Sequence, residues 1–462
     1  MFEKRFYVEG LPHASYLFGA GGEAAVVDPK RDVDEYLTAA ESAGLKIVAI
    51  FNTHPHADFV SGHLELAQRT GAKIYVSRRA PAQYPHVDVR DGDVIKVGPL
   101  EVVALETPGH SPDSVSWLVR EVGRPAVVFT GDTLFVGDIG RIDLRDAEEQ
   151  PSTLAAAMYE SLFKKLFALP ADVRVLPTHG AGSLCGRSIS AASSSTIGDE
   201  LRTNWAAKVT DRAEFLRRMV TNVPDRPAYF VHALTMNLRG AGALDNIPQP
   251  RSFLEPDLKA HVASGGLVLD LRSAALFGAG HFPGSLHISL ELSLFSTWVG
   301  FFVPPDRPLV LVVDQAGDTA RARVELARIG FDQVAGFIEG GALTQVEQLT
   351  QLSAADLRDE IALGSAPRVL DVRTAQEWKE YHLEDAIHIP LPKLPARLAE
   401  APRGEPLAII CGAGSRSSIA ASLLQAQGFR RLRNVMGGIA AYRETERRAW
   451  HPADLVHLGE GI

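Results

Sequence analysis

The C-terminal half of the chain contains an internal repeat. Four landmarks recur in the same order, and they are residues 268–272 (VLDLR) with 369–373 (VLDVR), Pro308-Leu309 with Pro406-Leu407, Gly330-Phe331 with Gly428-Phe429, and Gly340-Gly341 with Gly437-Gly438. The second and third landmarks are equally far apart in both copies, so that stretch aligns without a gap. Apolar, β-branched runs alternate with helical patterns in each copy, which is typical of parallel sheets. Two small α/β units are therefore predicted, rather than chance similarity.

The N-terminal half also alternates β-rich runs with helical patterns, but it shows no such repeat. It ends in a Ser-rich stretch at residues 188–195 and in a Gly- and Pro-containing segment at residues 240–250. The second of these segments has the composition of a domain linker. We therefore expect three domains, at residues 1–245, 250–347 and 348–462.

Composition narrows the functional classes. The net charge is -9 and the pI is about 5.9, without a basic stripe, so a nucleic acid partner is not expected. The N-terminus lacks an apolar targeting region, and apolar runs such as residues 309–313 are too short to cross a bilayer. We therefore expect a cytoplasmic protein without a membrane partner. The only two cysteines, Cys185 and Cys411, cannot form a disulfide framework.

Four apolar, strand-like runs in the N-terminal half each lead into potential metal ligands. Residues 47–51 precede His54, His56 and Asp58, residues 102–105 precede His110, residues 126–129 precede Asp132, and residues 173–176 precede His179. Side chains that follow the carboxyl ends of strands meet at one edge of a sheet. Imidazoles and carboxylates together suit a divalent metal such as zinc or iron. One such histidine alone would be unremarkable, but the joint pattern predicts a metal site.

This pattern resembles that of the metallo-β-lactamase superfamily, whose signature is T-H-x-H-x-D-H followed by a distant His, Asp and His. The resemblance covers residues 1 to about 245 and implies an αββα sandwich. The chain departs from the signature at Phe59, where two-zinc hydrolases have a ligand for their second metal. An apolar ring at this position disfavours a dinuclear hydrolytic centre.

Residues 54–63 and 131–141 resemble the persulfide dioxygenase branch of that superfamily. The resemblance implies one Fe(II) per chain, held by His54, His110 and Asp132. Such a facial triad leaves three coordination positions open, enough for a thiolate-type substrate and dioxygen. The other three polar residues, His56, Asp58 and His179, then become groups that orient ligands or move protons. Zinc is the alternative metal, in which case His56 is a candidate ligand.

Two further residues are candidates for binding substrate near the metal. Arg141 has the chemistry to clamp a carboxylate of the thiol carrier, and a structural ion pair is the equal alternative. Cys185 lies six residues after His179 in a Gly-rich loop. A buried, inert thiol and a role near the persulfide are both open for it.

A second candidate site lies at Cys411. The apolar strand at residues 407–410 runs into Cys411-Gly412-Ala413-Gly414-Ser415-Arg416, and a helical pattern follows from Ser417 to Gly428. A cysteine on a Gly-rich loop at a helix N-terminus faces backbone N–H groups and the positive end of the helix dipole. With a guanidinium at the end of the loop, this arrangement stabilises a thiolate and then a persulfide anion.

The C-x4-R loop resembles that of rhodanese, together with residues 371–373 upstream and 435–438 downstream. The resemblance spans about residues 348–462 and implies that Cys411 carries the transferred sulfur and Arg416 assists it. Gly412, Gly414 and Ser415 are then candidates for contacting substrate. The loop is one residue shorter than the related phosphatase-like loop, which favours sulfur over phosphoryl transfer. Residues 381–386 depart from the usual G-H-I-x-G-A of the family.

The first repeat is expected to be non-catalytic. The ungapped alignment puts Val313 opposite Cys411 and Asp318 opposite Arg416, so this copy has neither nucleophile nor cation. We expect residues 250–347 to serve as a spacer, a docking domain or a contact within a homo-oligomer.

The layout of the whole chain resembles bacterial fusions of a persulfide dioxygenase with rhodanese. The resemblance implies sulfide detoxification in two steps. In the first, a low-molecular-weight thiol persulfide (of glutathione, coenzyme A or a similar thiol) is oxidised by O2 to sulfite and thiol. In the second, sulfur transfer forms or uses thiosulfate. Two alternatives stay open, a glyoxalase II-like zinc thioesterase fused to a rhodanese and a non-oxidative persulfide carrier.

Overall fold

The computed structural model describes residues 1–122, 124–143, 151–221 and 226–449, which form two compact units. Unit 1 comprises Met1–Pro248, Ser296–Asp306 and Arg323–Asp332. Unit 2 comprises Gln249–Phe295, Arg307–Ala322 and the described part of Gln333–Ile462. Two short segments inside the first repeat thus belong to unit 1. The boundaries of the three domains inferred from the sequence stay a prediction.

Unit 1 contains two six-stranded sheets whose strands are neighbours in the order of the chain. Strands of the first sheet are β1 (Phe2–Val8), β2 (His13–Ala20), β3 (Glu23–Val27), β4 (Lys46–Phe51), β5 (Lys73–Ser77) and β6 (Val87–Val89). Those of the second are β7 (Val94–Val97), β8 (Leu100–Glu106), β9 (Val115–Glu121), β10 (Arg124–Gly131), β11 (Arg174–Pro177) and β12 (Ser195–Thr196). Pairing is parallel from β3 to β6 and between β10 and β11, and antiparallel elsewhere.

Helices cover the outer faces of both sheets. They are α1 (Asp34–Ser42), α2 (His63–Thr70), α3 (Pro151–Ser161), α4 (Ile197–Thr203), α5 (Trp205–Lys208), α6 (Arg212–Met219) and α7 (Tyr229–Arg239), with a π-helix at Leu162–Leu166 and a 3-10 helix at Leu244–Asn246. One core holds side chains from both sheets, such as Phe18 and Trp117, and therefore lies between them. Two more cores join each sheet to helices, through Tyr36 on one side and Met158 on the other. These layers are the predicted αββα sandwich.

Each repeat forms a five-stranded, fully parallel sheet in unit 2. The first sheet has the order β13 (Arg251–Ser252), β17 (Val334–Glu339), β16 (Leu309–Val313), β14 (Leu267–Asp270), β15 (Leu286–His287). The second has the order β18 (Thr350–Leu352), β22 (Leu432–Val435), β21 (Leu407–Ile410), β19 (Arg368–Asp371), β20 (Ile387–His388). Corresponding strands occupy corresponding places, so the predicted pair of parallel α/β units is confirmed.

Helices connect the strands in both repeats. They are α8 (Glu255–Ala263), α9 (Ala274–Ala279), α10 (Phe295–Phe302) and α11 (Asp318–Ala327) in the first copy, and α12 (Ala354–Ala362), α13 (Ala375–Glu380), α14 (Ser415–Ala426) and α15 (Gly438–Ala449) in the second, with 3-10 helices at Gly340–Ala342, Leu391–Lys393 and Pro395–Glu400. No helix among the described residues has the length and apolar character needed to span a membrane.

The repeated Asp-x-Arg motif has the same structural role in both copies. Arg272 makes charge-assisted hydrogen bonds to Asp270 in the first repeat, and Arg373 makes them to Asp371 in the second. Each guanidinium also donates to a backbone carbonyl eight residues further on. These buried pairs fix the turns that follow β14 and β19.

Candidate functional site

The predicted metal ligands follow the ends of four strands of unit 1. His54, His56 and Asp58 come after β4, His110 after β8, Asp132 directly after β10, and His179 after β11. All six side chains are buried. One ligand atom from each of His54, His110 and Asp132 lies within 4.8 Å of the other two, so the three residues of the expected triad come together.

Asp132 lies at the centre of this cluster. Its Oδ2 atom is 3.4 Å from Nε2 of His110, 3.4 Å from Nε2 of His179 and 3.9 Å from Nε2 of His54. These separations are longer than ordinary hydrogen bonds. The three imidazoles therefore group around the Asp132 carboxylate without hydrogen-bonding to it.

The outer ring nitrogens of three histidines are held by oxygen acceptors. Nδ1 of His110 is 2.8 Å from the Arg141 carbonyl oxygen, and Nδ1 of His179 is 3.1 Å from that of Pro12. Nδ1 of His54 is 3.1 Å from the Thr53 hydroxyl, whose own hydrogen goes to Asp28. Because these acceptors require an N–H at Nδ1, neutral His54 and His110 carry their lone pair on Nε2, the atom that faces Asp132.

The donor set fits a metal ion. Both carboxylate oxygens of Asp132, Oδ1 of Asp58 and Nε2 of His179 are buried without a hydrogen-bond partner. Unsatisfied buried groups of this kind are costly, and a divalent cation would satisfy them. Burial also lowers the pKa of His110, which favours the neutral imidazole that a metal ligand must be.

Asp28 is a supporting residue that the sequence reasoning missed. Its carboxylate accepts hydrogen bonds from the backbone N–H and hydroxyl of Thr53 and from the hydroxyl of Thr178, at 2.8 Å each. It therefore ties together the residues that precede His54 and His179. The sequence pattern could have indicated it, because Asp28 directly follows the apolar strand β3, and the candidate metal ligands also follow apolar strands.

Phe59 fills the space beside the second-metal position. Its ring stacks on His13, with ring centroids 3.7 Å apart, and lies 4.3 Å from the ring of His56. Nε2 of His56 is 3.1 Å from Asp28, and one of its ring nitrogens also groups with Asp132 and His179. His13 is the first residue of β2 and does not follow a strand end, so the pattern that predicted the other residues did not indicate it.

Asp58, His179 and Cys185 form a second group that overlaps the first. Nε2 of His179 is 3.2 Å from Asp58, and Cys185 lies within 4.8 Å of both. Burial would lower the pKa of His179, but the Asp132 and Asp58 carboxylates outweigh it and raise that pKa well above its usual value. Burial, with the same carboxylates, raises the pKa of the Cys185 thiol. Cys185 therefore lies close to the metal cluster, where its surroundings favour the thiol over the thiolate.

Arg141 is enclosed by protein groups. Its guanidinium donates to both carboxylate oxygens of Asp143, at 2.7 and 2.6 Å, and to the Leu184 carbonyl at 3.1 Å. The side chain is 2% exposed, and its backbone carbonyl accepts from His110. Of the two alternatives for this residue, the contacts favour the structural ion pair.

Cys411 lies in unit 2, directly after β21 and before α14. The backbone N–H of Gly414 donates to its sulfur at 3.1 Å, and the Ser417 hydroxyl is 3.4 Å from the sulfur. Gly414 has a φ of 97°, which glycine adopts without strain and which brings its N–H towards the sulfur. Ser415 is the first residue of α14. The expected loop at a helix N-terminus is therefore present.

Glycines downstream allow a second helix to approach the loop. The backbone N–H groups of Ile439 and Ala440 in α15 donate to the carbonyls of Cys411 and Gly412. A Cβ atom at Gly438 would come within 2.2 Å of the Cys411 carbonyl oxygen. The repeated Gly-Gly landmark thus has a steric reason in this copy.

Arg416 has a partner that the sequence did not indicate. Its guanidinium donates to both carboxylate oxygens of Glu377 in α13, at 2.8 and 2.6 Å. Burial would raise the pKa of Glu377, yet the hydrogen bonds from Arg416 lower it to about 2. Gly412 lies against this guanidinium, since a Cβ atom there would be 2.9 Å from Nη2 of Arg416.

Residues 381–386 replace the family glycine with Asp385, which has a φ of 61°. In the first repeat Gly284 has a φ of 77° at the corresponding turn. Aspartate tolerates this left-handed conformation better than most residues. The backbone turn is therefore kept despite the departure in sequence.

The first repeat lacks the chemistry of the second. Val313 is fully buried at the end of β16, and the carboxylate of Asp318 accepts from the backbone N–H of Gln315 at 3.3 Å. A valine and a carboxylate at these positions can neither carry sulfur nor stabilise an anion.

Comparison with protein families agrees with this architecture. The family described as the metallo-beta-lactamase superfamily matches residues 8–179, and the rhodanese-like domain matches residues 255–343 and 353–445. A solved metallo-beta-lactamase from Staphylococcus aureus subsp. aureus COL is 33% identical, with a TM-score of 0.67, and the match covers 73% of this chain and 99% of that one. The chain belongs to the metallo-β-lactamase superfamily, and two rhodanese-like domains follow its metal-binding domain.

Two curated relatives each match about a third of this chain. The hydroxyacylglutathione hydrolase of Methylobacterium nodulans is 38% identical over 146 residues, or 31% of this chain and 52% of that protein. The mitochondrial persulfide dioxygenase ETHE1 of Homo sapiens is 30% identical over 171 residues, or 36% of this chain and 63% of that protein. The chain thus spans little more than half the length of these relatives. Both activities occur in this enzyme superfamily, so the choice between them depends on the site.

Proposed function

We propose that the chain is an iron-dependent persulfide dioxygenase coupled to a sulfurtransferase. The observation that carries this proposal is Phe59, which stacks between His13 and His56 where a second-metal ligand would stand. With that ligand absent, we assign the metal to His54, His110 and Asp132, one of the three candidate groups found among the described residues. A 2-His-1-carboxylate set is typical of iron enzymes that use dioxygen.

In the first reaction, a thiol persulfide, O2 and water give thiol, sulfite and two protons. The sulfane sulfur is oxidised by four electrons and both atoms of dioxygen are reduced. Iron held by the triad would supply this redox chemistry. Of the chain's own groups, His179 lies between Asp58 and Asp132, whose carboxylates raise its pKa and favour its protonated form, so we assign to it the proton that the departing thiolate takes up. The Phe59 ring, between His13 and His56, excludes water and a second cation from its side of the metal centre.

In the second reaction, the Cys411 thiolate attacks the outer sulfur of a persulfide and releases the thiol. The sulfane sulfur then sits on Cys411 beside the Gly414 N–H group. Sulfite attacks this sulfur, breaks the S–S bond, leaves as thiosulfate and restores the thiolate. The reverse direction would supply persulfide from thiosulfate. Low-molecular-weight thiols such as glutathione or coenzyme A are the expected carriers, and the cytoplasm is the expected location.

Metal analysis and oxygen uptake test the proposal. Protein purified without oxygen should contain one iron per chain and should consume O2 with glutathione or coenzyme A persulfide. Two zinc ions per chain in active protein, without O2 uptake, would contradict it.

Product analysis of Cys411→Ser tests the coupling. We expect O2 uptake to persist and the product to change from thiosulfate to sulfite, because serine cannot hold sulfane sulfur. A reaction without protein controls for spontaneous sulfite chemistry. Undiminished enzymatic thiosulfate formation by this variant would contradict the role of Cys411.

Thioester hydrolysis is the second candidate function. One support is the similarity to a hydroxyacylglutathione hydrolase. The other is that Asp58, His179 and Asp132 lie close together and have side chains that can bind a second metal ion. Anaerobic assay with a glutathione thioester distinguishes the two, since hydrolysis needs no O2. Rapid hydrolysis together with a dinuclear zinc content would favour this candidate.

A further inference from the structure

The backbone of the loop that carries the first metal ligands is bonded to Asn237 of α7. Nδ2 of Asn237 donates to the carbonyls of His56 and Phe59, at 2.8 and 2.7 Å. Its Oδ1 accepts from the Ser61 N–H at 2.8 Å. Asn237 is 2% exposed, so these bonds form without competition from water. One side chain thus fixes three points of the ligand loop.

Two further bonds complete the support of this loop. The hydroxyl of Tyr229, also on α7, donates to the Asp58 carbonyl at 2.6 Å. The Val60 N–H donates to the carbonyl of Arg328 at 2.7 Å. Arg328 belongs to Arg323–Asp332, one of the two segments that lie inside the first rhodanese-like repeat but pack in unit 1.

Both segments, Ser296–Asp306 and Arg323–Asp332, contact residues that lie next to the ligand loop or bond to it. Gly300, in Ser296–Asp306, lies so close to Tyr229 that a Cβ atom would be 2.2 Å from the tyrosine ring. The Arg328 guanidinium donates to both carboxylate oxygens of Asp32, at 2.8 Å each. The buried Arg31 donates to Asp332 at 3.0 Å. Asp32 and Arg31 lie just after Asp28, so these ion pairs anchor the segment beside the metal ligands' own support.

We infer that Ser296–Asp306 and Arg323–Asp332 of the non-catalytic repeat are a positioning element for the metal centre. The repeat has lost its cysteine and cation, but these segments supply the Arg328 carbonyl and the packing against Tyr229. Metal affinity depends on the groups that orient the ligands as well as on the ligands themselves. Loosening either segment should therefore weaken metal binding without touching a ligand. The inference holds for any metal and does not depend on the dioxygenase assignment.

Two variants with matched controls test this inference on the full chain. Arg328→Ala removes the anchor to Asp32, and its control is Arg321→Ala, an exposed arginine of α11 that pairs with Glu291. Gly300→Ala pushes against Tyr229, and its control is Gly317→Ala, because a Cβ atom at Gly317 meets nothing within 4 Å. Each protein is stripped of metal and titrated with Co(II), and the affinity and visible absorption spectrum are recorded below the unfolding temperature.

We expect Arg328→Ala and Gly300→Ala to bind Co(II) about tenfold more weakly and with an altered spectrum. Both controls should match the parent chain, and Arg328→Lys should restore part of the affinity. Sulfur transfer at Cys411 should be unchanged in all variants. Unchanged Co(II) affinity and spectrum in either folded test variant, or equal losses in the controls, would overturn the inference. If Arg328→Ala does not fold, Gly300→Ala alone decides the outcome.

Discussion

At the cysteine loop, the carboxylate of Glu377 reduces the positive charge near the Cys411 sulfur. Glu377 binds the Arg416 guanidinium through two hydrogen bonds and also caps α13 by accepting from the N–H and hydroxyl of Thr374. The loop therefore combines helix N–H groups with a guanidinium whose charge is largely compensated. Helix and backbone dipoles are left as the main stabilisers of a sulfur anion.

Glu377→Gln should raise kcat/KM for an anionic acceptor such as sulfite about fivefold. Glutamine keeps the shape but removes a charge worth roughly 1 kcal/mol at this half-exposed position. Hydrogen bonds from Arg416 hold the pKa of Glu377 at about 2, so the carboxylate is ionised above that value and the effect should be constant over roughly pH 5 to 8. Sulfurtransferase kinetics at several pH values measure it.

The control for this variant is Glu380→Gln, an exposed glutamate of the same helix. It should leave the kinetics unchanged. A Glu377→Gln variant with unaltered or reduced kcat/KM for sulfite would show that compensation of Arg416 does not limit the reaction.

At the scale of single elements, the two repeats differ in what their equivalent histidines contact. Nε2 of His287 and Nε2 of His388 lie 2.9 Å from the carbonyls of Arg272 and Arg373. His287 has further partners on α14, since its Nδ1 is 2.9 Å from the Ser418 hydroxyl and its backbone N–H donates to Ser422. The non-catalytic repeat therefore braces the helix that begins at the cysteine loop.

His287→Ala should lower the free energy of unfolding of unit 2 by about 2 to 3 kcal/mol, because it leaves the Ser418 hydroxyl and the Arg272 carbonyl buried without partners. His388→Ala is the matched control. It loses one such bond at a half-buried position and should cost about 1 kcal/mol. Chemical denaturation of both variants gives the comparison, and equal losses would mean that the contact with α14 contributes little.

At the scale of the whole chain, the metal cluster and Cys411 lie in different compact units. Each unit has its own hydrophobic cores. One core of unit 1 lies between the two sheets that carry the metal cluster, and the second repeat, which carries Cys411, has a separate core. Loss of a ligand in unit 1 is therefore not expected to disturb the cysteine loop.

His110→Ala should abolish persulfide-dependent O2 uptake and reduce the metal content, because it removes one of the three proposed ligands. Thiosulfate-to-thiol sulfur transfer should stay near the parent rate. Both activities are measured on the same preparation, with circular dichroism to show that the variant is folded. Equal loss of both activities in a folded variant would contradict the independence of the two sites.

The sequence alone determined the strand ends, the two repeats and the cysteine loop. These features are local, since an apolar strand and the polar residues that follow it are adjacent in the chain. For this reason the αββα sandwich and the parallel sheets were predicted correctly, and the residues chosen as ligands do come together. The roles of these residues and the domain boundaries stay predictions.

Only the tertiary structure decided which residues support the two sites. Glu377 meets Arg416 from a different helix, and Asn237 and Tyr229 reach the metal loop from far along the chain. The segments Ser296–Asp306 and Arg323–Asp332 lie within the span of the first rhodanese-like repeat, yet they pack in unit 1. Such contacts depend on which surfaces meet after folding, and hydrophobic periodicity carries no information about the partner of a given face.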